Sequence, residues 1–169
     1  KVILALKKAE VDSKGAAAAA DALQTALRYL GYRSRSEAEV RHYLHQRGYL
    51  PAAVESAVGR LRSLKYVNDE VFARDWALAR AQGTGYGPRR IDQELRSKGI
   101  SQSLIRDTLR ETFDQVDEAG RAKRLLAKRF AGAALKESKT RNRAVAFLQR
   151  RGYSSKVIFD LLGYSIEED

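Results

Sequence analysis

The sequence predicts an all-α protein built as three tandem three-helix repeats in an elongated, curved array. Three observations carry that prediction. Ala, Leu, Arg, Glu, Lys and Gln, all strong helix formers, dominate the chain, and only 2 of its 169 residues are proline. Apolar side chains recur three and four positions apart, the spacing that lines one helix face. A hairpin of two helices around a glycine turn also recurs with a period of about 50 residues, which marks a repeat array.

The elements follow in order. Residues 1–20 receive no assignment beyond a five-alanine run from Ala16 to Ala20. From Asp21, Ala22, Leu23, Ala26, Leu27 and Leu30 recur at helical spacing until Gly31 stops them. Ser36 and Glu39 form a capping box, each satisfying a backbone N–H left free at a helix start. Val40 and Leu44 make that helix's inner face, and Gly48 ends it. Pro51, whose missing N–H costs nothing in a first turn, opens the next helix, with Val54, Ala57, Val58 and Leu61 inside.

Asn68 caps a helix over 69–82, with Asp69 and Glu70 at the positive end of its dipole. Phe72, Ala73, Trp76 and Ala77 form its inner face. The glycine loop 83–87 then leads to a proline-started helix with Ile91 and Leu95 inside, stopped at Gly99. Ser101 caps a helix that buries Leu104, Ile105 and Leu109. The last three helices run over 118–130, with Ala122, Leu125, Leu126 and Phe130 inside, over about 140–150, with Ala144, Phe147 and Leu148, and from the cap Ser154 onward, with Val157, Ile158 and Leu162. Gly152 separates the last two.

A shift of 51 places Val40, Leu44, Gly48, Tyr49, Val54 and Val58 on Ile91, Leu95, Gly99, Ile100, Ile105 and Leu109. A shift of 53 carries these on to Ala144, Leu148, Gly152, Tyr153, Ile158 and Leu162. A helix precedes each hairpin, so the unit has three helices. The expected organisation is an N-terminal segment 1–20, repeat 1 over 21–68, repeat 2 over 69–117, and repeat 3 over 118–169 with an acidic tail, Glu167-Glu168-Asp169.

Charge narrows the partner. The net charge is +11 and the pI about 10.0, a balance that points to an anionic partner such as nucleic acid. The charge is uneven: residues 118–156 carry twelve Lys/Arg against Glu118 and Glu137, whereas residues 69–117 are close to neutral. With no cysteine, disulfides, thiolate metal sites and cysteine nucleophiles are excluded. No apolar run approaches the roughly 20 residues of a membrane span, so no membrane partner is expected. Val2 to Leu6 is too short for a signal-peptide core.

Residues 83–87 follow a helix and lack the Gly-Lys-Ser/Thr of a phosphate loop, so they read as a turn and not as a nucleotide site. His42 and His45, with only Glu39 nearby, fall short of a metal-ligand set. No Ser–His–Asp set or paired carboxylates stands in a catalytic context, and the chain reads as non-enzymatic with no cofactor.

The chain resembles the RecX family, regulators of the bacterial RecA recombinase. The resemblance rests on Asn68-Asp69-Glu70-x-Phe72-Ala73, on Gly85-Tyr86-Gly87-Pro88-x-x-Ile91-x-x-Glu94-Leu95-x-x-Lys98-Gly99-Ile100, and on Phe147-Leu148-x-x-Arg151-Gly152-Tyr153. It spans about residues 21–164. It implies a cytoplasmic, non-enzymatic protein that binds RecA and its filament on single-stranded DNA. It also implies restraint of RecA's ATPase, coprotease and strand-exchange activities in DNA repair, recombination and the SOS response. Two other readings stand beside it: a stand-alone DNA-binding protein with helix-turn-helix-like units, and a helical adaptor for an acidic protein. The array is expected to be a monomer.

The candidate contact residues for RecA or DNA phosphates are basic. Arg121, Arg124 and Lys128 fall at i, i+3 and i+7, opposite Ala122, Leu126 and Phe130, and Lys139, Arg143 and Arg150 follow a similar outward line. Arg151 joins them, and Arg89, Arg90 and Lys98 flank the central helix. Tyr86, in the glycine loop, is the one aromatic kept as a contact residue. Tyr49 and Tyr153 occupy the slot that Ile100 fills, and with Trp76 they read as packing residues.

Overall fold

The computed structural model describes residues 2–115, 117–132 and 135–163, with backbone alone for 2–12 and 115. The acidic tail 167–169 lies outside the described residues. The described chain is helical throughout: α1 Val2–Leu30, α2 Glu37–Gln46, α3 Pro51–Ser63, α4 Asp69–Ala79, α5 Pro88–Ser97, α6 Gln102–Gln115, α7 Glu118–Arg129, α8 Ser138–Arg150 and α9 Ser155–Leu162. It divides into two compact units, one of Lys1–Phe72 with Lys98–Ile100, the other of Ala73–Ser97 with Ser101–Asp169.

In the first unit α1 packs on α3 and α2. Ala22, Ala26, Val40, Leu44, Val54, Ala57, Val58 and Leu61 form its core, all but sealed from solvent. Leu23, Leu27 and Leu30 flank that core half-exposed. Burial of each larger aliphatic side chain contributes roughly 1.5–3 kcal/mol. The capping box is complete: the Ser36 hydroxyl accepts from the Glu39 N–H at 3.1 Å, and the Glu39 carboxylate accepts from the Ser36 N–H at 3.2 Å. Tyr29 and Tyr43 stack with ring centroids 3.9 Å apart, covered by the Arg35 and Arg47 guanidiniums. Helix α1 reaches back to Val2, across the segment to which periodicity assigned nothing.

In the second unit Ala77, Ala81, Ile91, Leu95 and Ile105 are buried in repeat 2. Ala122, Leu126, Ala144, Leu148, Tyr153, Ile158 and Leu162 form the core of repeat 3. Ser154 caps α9 as its position implied, and Asp117, which periodicity did not single out, caps α7 by accepting from the Gly120 N–H at 2.8 Å. The helix expected over 69–82 ends at Ala79 and widens into a π-helical turn, Arg80–Thr84, closed by Gly85 in the left-handed conformation. Trp76 is half-exposed and not core; its indole N–H donates to Glu94 at 2.9 Å. Leu104, Leu109, Leu125, Phe130 and Phe147 are likewise only partly buried. One helix face is wider than the core it covers, so the margins of the apolar stripe stay partly wet.

Candidate partner interface

The glycine loop is a docking element inside the second unit. The Gly87 N–H donates to the Arg151 carbonyl at 2.8 Å and the Arg89 N–H to the Gly152 carbonyl at 3.0 Å. The buried Tyr153 hydroxyl donates to the Gly85 carbonyl at 3.0 Å, and Arg151 donates to the Thr84 carbonyl. Gly87 is glycine because a Cβ there would lie 2.5 Å from the Gly152 carbonyl oxygen. Gly152, at φ +81, faces the Arg90 backbone so closely that its own Cβ would lie 2.2 Å from the Arg90 nitrogen. The first unit repeats this joint in side-chain form. The Gly99 turn sits on Ala38, the Ser36 hydroxyl donates to the Lys98 carbonyl at 2.6 Å, and Lys98 pairs with Glu39 at 2.8 Å.

These joints account for several candidate residues. Lys98 belongs to the joint of the first unit and is engaged there. Tyr86 is half-buried among the guanidiniums of Arg80, Arg90 and Arg151, at 5.6–6.0 Å from its ring centre. Tyr86, Arg90 and Arg151 thus form one cation–π cluster. Arg89 is exposed, with its guanidinium 3.4 Å from the Ser155 hydroxyl. Arg121 is half-buried and donates to the Ala81 and Gln82 carbonyls, which holds α7 to the π-helical turn. Arg121, Arg124 and Lys128 do converge: with residues 82–85 they line a groove of about 170 Å³.

A second concavity of about 360 Å³ lies between the end of α7 and α8, lined by Arg129, Phe130, Thr140, Arg143, Phe147 and Arg150 among others. It gathers Arg143 and Arg150 from the sequence-predicted set. Arg129, Phe130 and Phe147 were missed as site residues because apolar periodicity assigns the two rings to the core. Lys139 is exposed in the first turn of α8.

Charge pairing separates the repeats. In repeat 1, Glu37 binds Arg41 at 3.2 Å and Arg62 at 2.5 Å, and Glu39 binds Arg33 at 3.0 Å. Hydrogen bonding from Arg62 pulls the Glu37 carboxyl below its ordinary value. Burial alone would push Glu39 up, but its bonds to Lys98, Arg33 and the Ser36 N–H outweigh that and lower it. In repeat 2 the pairs are Arg80 and Arg90 with Glu94, Arg96 with Asp92, Arg110 with Asp107 and Arg74 with Glu111. In repeat 3, by contrast, Arg124, Lys128, Arg129, Lys139, Arg143 and Arg150 have neither an ion pair nor a side-chain hydrogen bond among the described residues. Glu118 accepts from the Ser154 N–H at 3.0 Å, and Glu137 lies 3.5 Å from the Thr140 hydroxyl.

Among the described residues no group of three or more His, Cys, Asp or Glu side chains is placed to hold a metal, and no helix is long and apolar enough to cross a membrane. What the fold and surface define is a class: a helical-repeat protein whose last repeat presents unneutralised cations. Residues 22–61, 68–109 and 117–162 match the models of the first, second and third three-helix domains of RecX. The chain belongs to the RecX family.

It is 35% identical over 142 residues to the regulatory protein RecX of Syntrophotalea carbinolica, covering 82% of this chain and 92% of that protein. The RecX proteins of Lactobacillus johnsonii (32% identical, 97% of this chain) and Bacillus subtilis (36%, 85% of this chain) also match. The chain spans only 59% and 56% of the length of those two relatives. A crystal structure described as regulatory protein RecX superposes with a TM-score of 0.77 at 27% identity, covering 93% of this chain and 77% of that one. That of RecX from Lactobacillus salivarius superposes at 0.75 and 23%, covering 87% and 95%, a likeness of fold.

Proposed function

We propose that this chain is a regulator that binds RecA and the RecA filament on single-stranded DNA. In this reading it lowers RecA's ATPase, coprotease and strand-exchange activities during DNA repair, recombination and the SOS response in the bacterial cytoplasm. Family membership supplies the partner. The observation that carries the reading is the set of unpaired cations on repeat 3: Arg124, Lys128, Arg129, Lys139, Arg143 and Arg150. A charge left unpaired contributes little to folding, and its attraction is available to phosphates or to acidic protein surfaces. Function is thus assigned to binding and not to bond-making.

The test is a titration of RecA ATPase on single-stranded DNA, with filament length followed in the same sample. Slower hydrolysis and altered filaments at stoichiometric amounts are expected; if both stay unchanged, the proposal is rejected. The double variant Arg124→Glu/Lys128→Glu, which leaves the Arg121 clamp intact, should weaken binding and flatten its salt dependence. Unaltered binding across a salt series would remove repeat 3 from the interface. Specific duplex binding without RecA would favour a stand-alone DNA-binding protein instead.

A further inference from the structure

The concavity between α7 and α8 differs from the rest of the cationic surface in chemistry as well as shape. Three of its walls are the exposed, unpaired arginines Arg129, Arg143 and Arg150, with the Thr140 hydroxyl beside them. Another wall is aromatic. The Phe147 and Phe130 rings form a T-shaped pair, with centroids 5.9 Å apart and planes at 78°, and the Arg151 guanidinium lies over one face of Phe147 at 4.9 Å from its centre. The ring is therefore held in place before any ligand arrives, which lowers the ordering cost of stacking on it. At about 360 Å³ the cleft is at the small end of ligand sites, which begin at roughly 300 Å³.

We propose that this cleft seats one nucleotide of a single strand, with Arg129, Arg143 and Arg150 on the phosphate and Phe147 against the base. An acidic peptide would satisfy the arginines but leaves the aromatic wall without a partner. A duplex would satisfy the arginines too, yet its bases are stacked on each other and cannot enter. Of these three, the unpaired strand is the one whose repeating unit offers both an anion and a free π-face to one small cleft. The inference extends the reading above, because it states what repeat 3 would touch on a filament's strand. It does not depend on RecA, and its test omits RecA.

The full chain is mixed with a fluorescent oligo(dT), and with an oligonucleotide carrying 2-aminopurine, whose emission falls when it stacks. Binding with quenching is expected. Arg143→Glu/Arg150→Glu should weaken binding at least tenfold and reduce the salt slope, by roughly 0.7 for each phosphate that is no longer neutralised. Phe147→Leu should weaken binding roughly five- to hundredfold, the range for one stacked base, with the salt slope unchanged. Phe147→Tyr, which keeps the ring, should restore the quenching and guards against a folding defect.

Loss of binding in the arginine variant with no effect at Phe147 would mean a plain phosphate surface and overturn the seat. Displacement by poly-glutamate as readily as by oligonucleotide would overturn it as well. If oligonucleotide binding fails while the RecA ATPase is still slowed, the seat falls and the RecA reading stands. The converse pair of results keeps the seat and removes the RecA reading.

Discussion

At the start of α2 in repeat 1, Glu37 holds Arg41 and Arg62, and Glu39 holds Arg33 and Lys98. At the matching start of α8 in repeat 3, Arg141 and Arg143 stand in the register positions of Glu37 and Glu39. The two helices carry the same hairpin, with Val40 and Leu44 inside one and Ala144 and Leu148 inside the other. The comparison teaches that the hairpin is specified by its buried face and glycine turn and tolerates either charge outside. Repeat 1 uses the outer face for stability: acids sit at the positive end of the helix dipole and neutralise nearby arginines. Repeat 3 places the exposed Lys139 at that same positive end, an arrangement that costs about 0.3–1 kcal/mol. An anion bound from outside would offset that cost, in line with the proposed role of repeat 3.

The strongest way to break the comparison is at the turns. Gly152→Ala should cost about 2–5 kcal/mol, of which ~1–2 comes from the left-handed backbone and ~1–3 from forcing a Cβ into the Arg90 backbone. Gly48→Ala, at the equivalent turn of repeat 1 with open space around it, should cost only the backbone share, about 1–2 kcal/mol. Denaturant unfolding of both variants measures the difference; equal losses would mean that the close approach at Gly152 carries nothing.

Next in size, Glu37→Gln should destabilise by about 1–3 kcal/mol, because it removes the charge and one of the two acceptor oxygens that Arg41 and Arg62 share, on a side chain only 12% exposed. The effect has a pH signature. Glu37 and Glu39 have carboxyls lowered by folding, so their contribution is complete above about pH 4.5, the ordinary glutamate value, and is lost as pH falls through their lower folded values. Asp69, raised by burial, works in the opposite direction and offsets part of this. Hydrogen exchange across pH 3 to 6 should show α2 and α3 loosening on acidification before α8 and α9, and simultaneous loosening would contradict it.

The smallest effect on stability belongs to Arg143→Glu, within about 0.5 kcal/mol and in the stabilising direction. Thermal unfolding checks this, and a loss beyond 1 kcal/mol would show that Arg143 is structural after all. The same variant should be among the most damaging to anion binding.

Much of this architecture is legible in one dimension. Ser36, Asn68, Ser101 and Ser154 cap helices as their spacing implies, and Pro51 and Pro88 open theirs. These signals involve residues three or four apart, where helix geometry alone sets the contact. The site is less legible. Arg121 lies on a line of outward cations, yet it reaches carbonyls some 40 residues back in the chain. Phe130 and Phe147 read as core by spacing; they pack against the repeat 3 core from its margin and also line a cleft. Tyr86 reads as a contact residue in an open loop, and it is half-buried beside guanidiniums from three separate segments.

Sequence alone determined most of the helices and their caps, the threefold repetition and the bias of positive charge toward residues 118–156, because each is a matter of composition or short spacing. Tertiary structure decided which cations are spent on carbonyls and carboxylates and which remain unpaired. It also decided why Gly87 and Gly152 must lack side chains. Both depend on distances between segments remote in the chain, and periodicity, which reports only the face a residue occupies, carries no such distance.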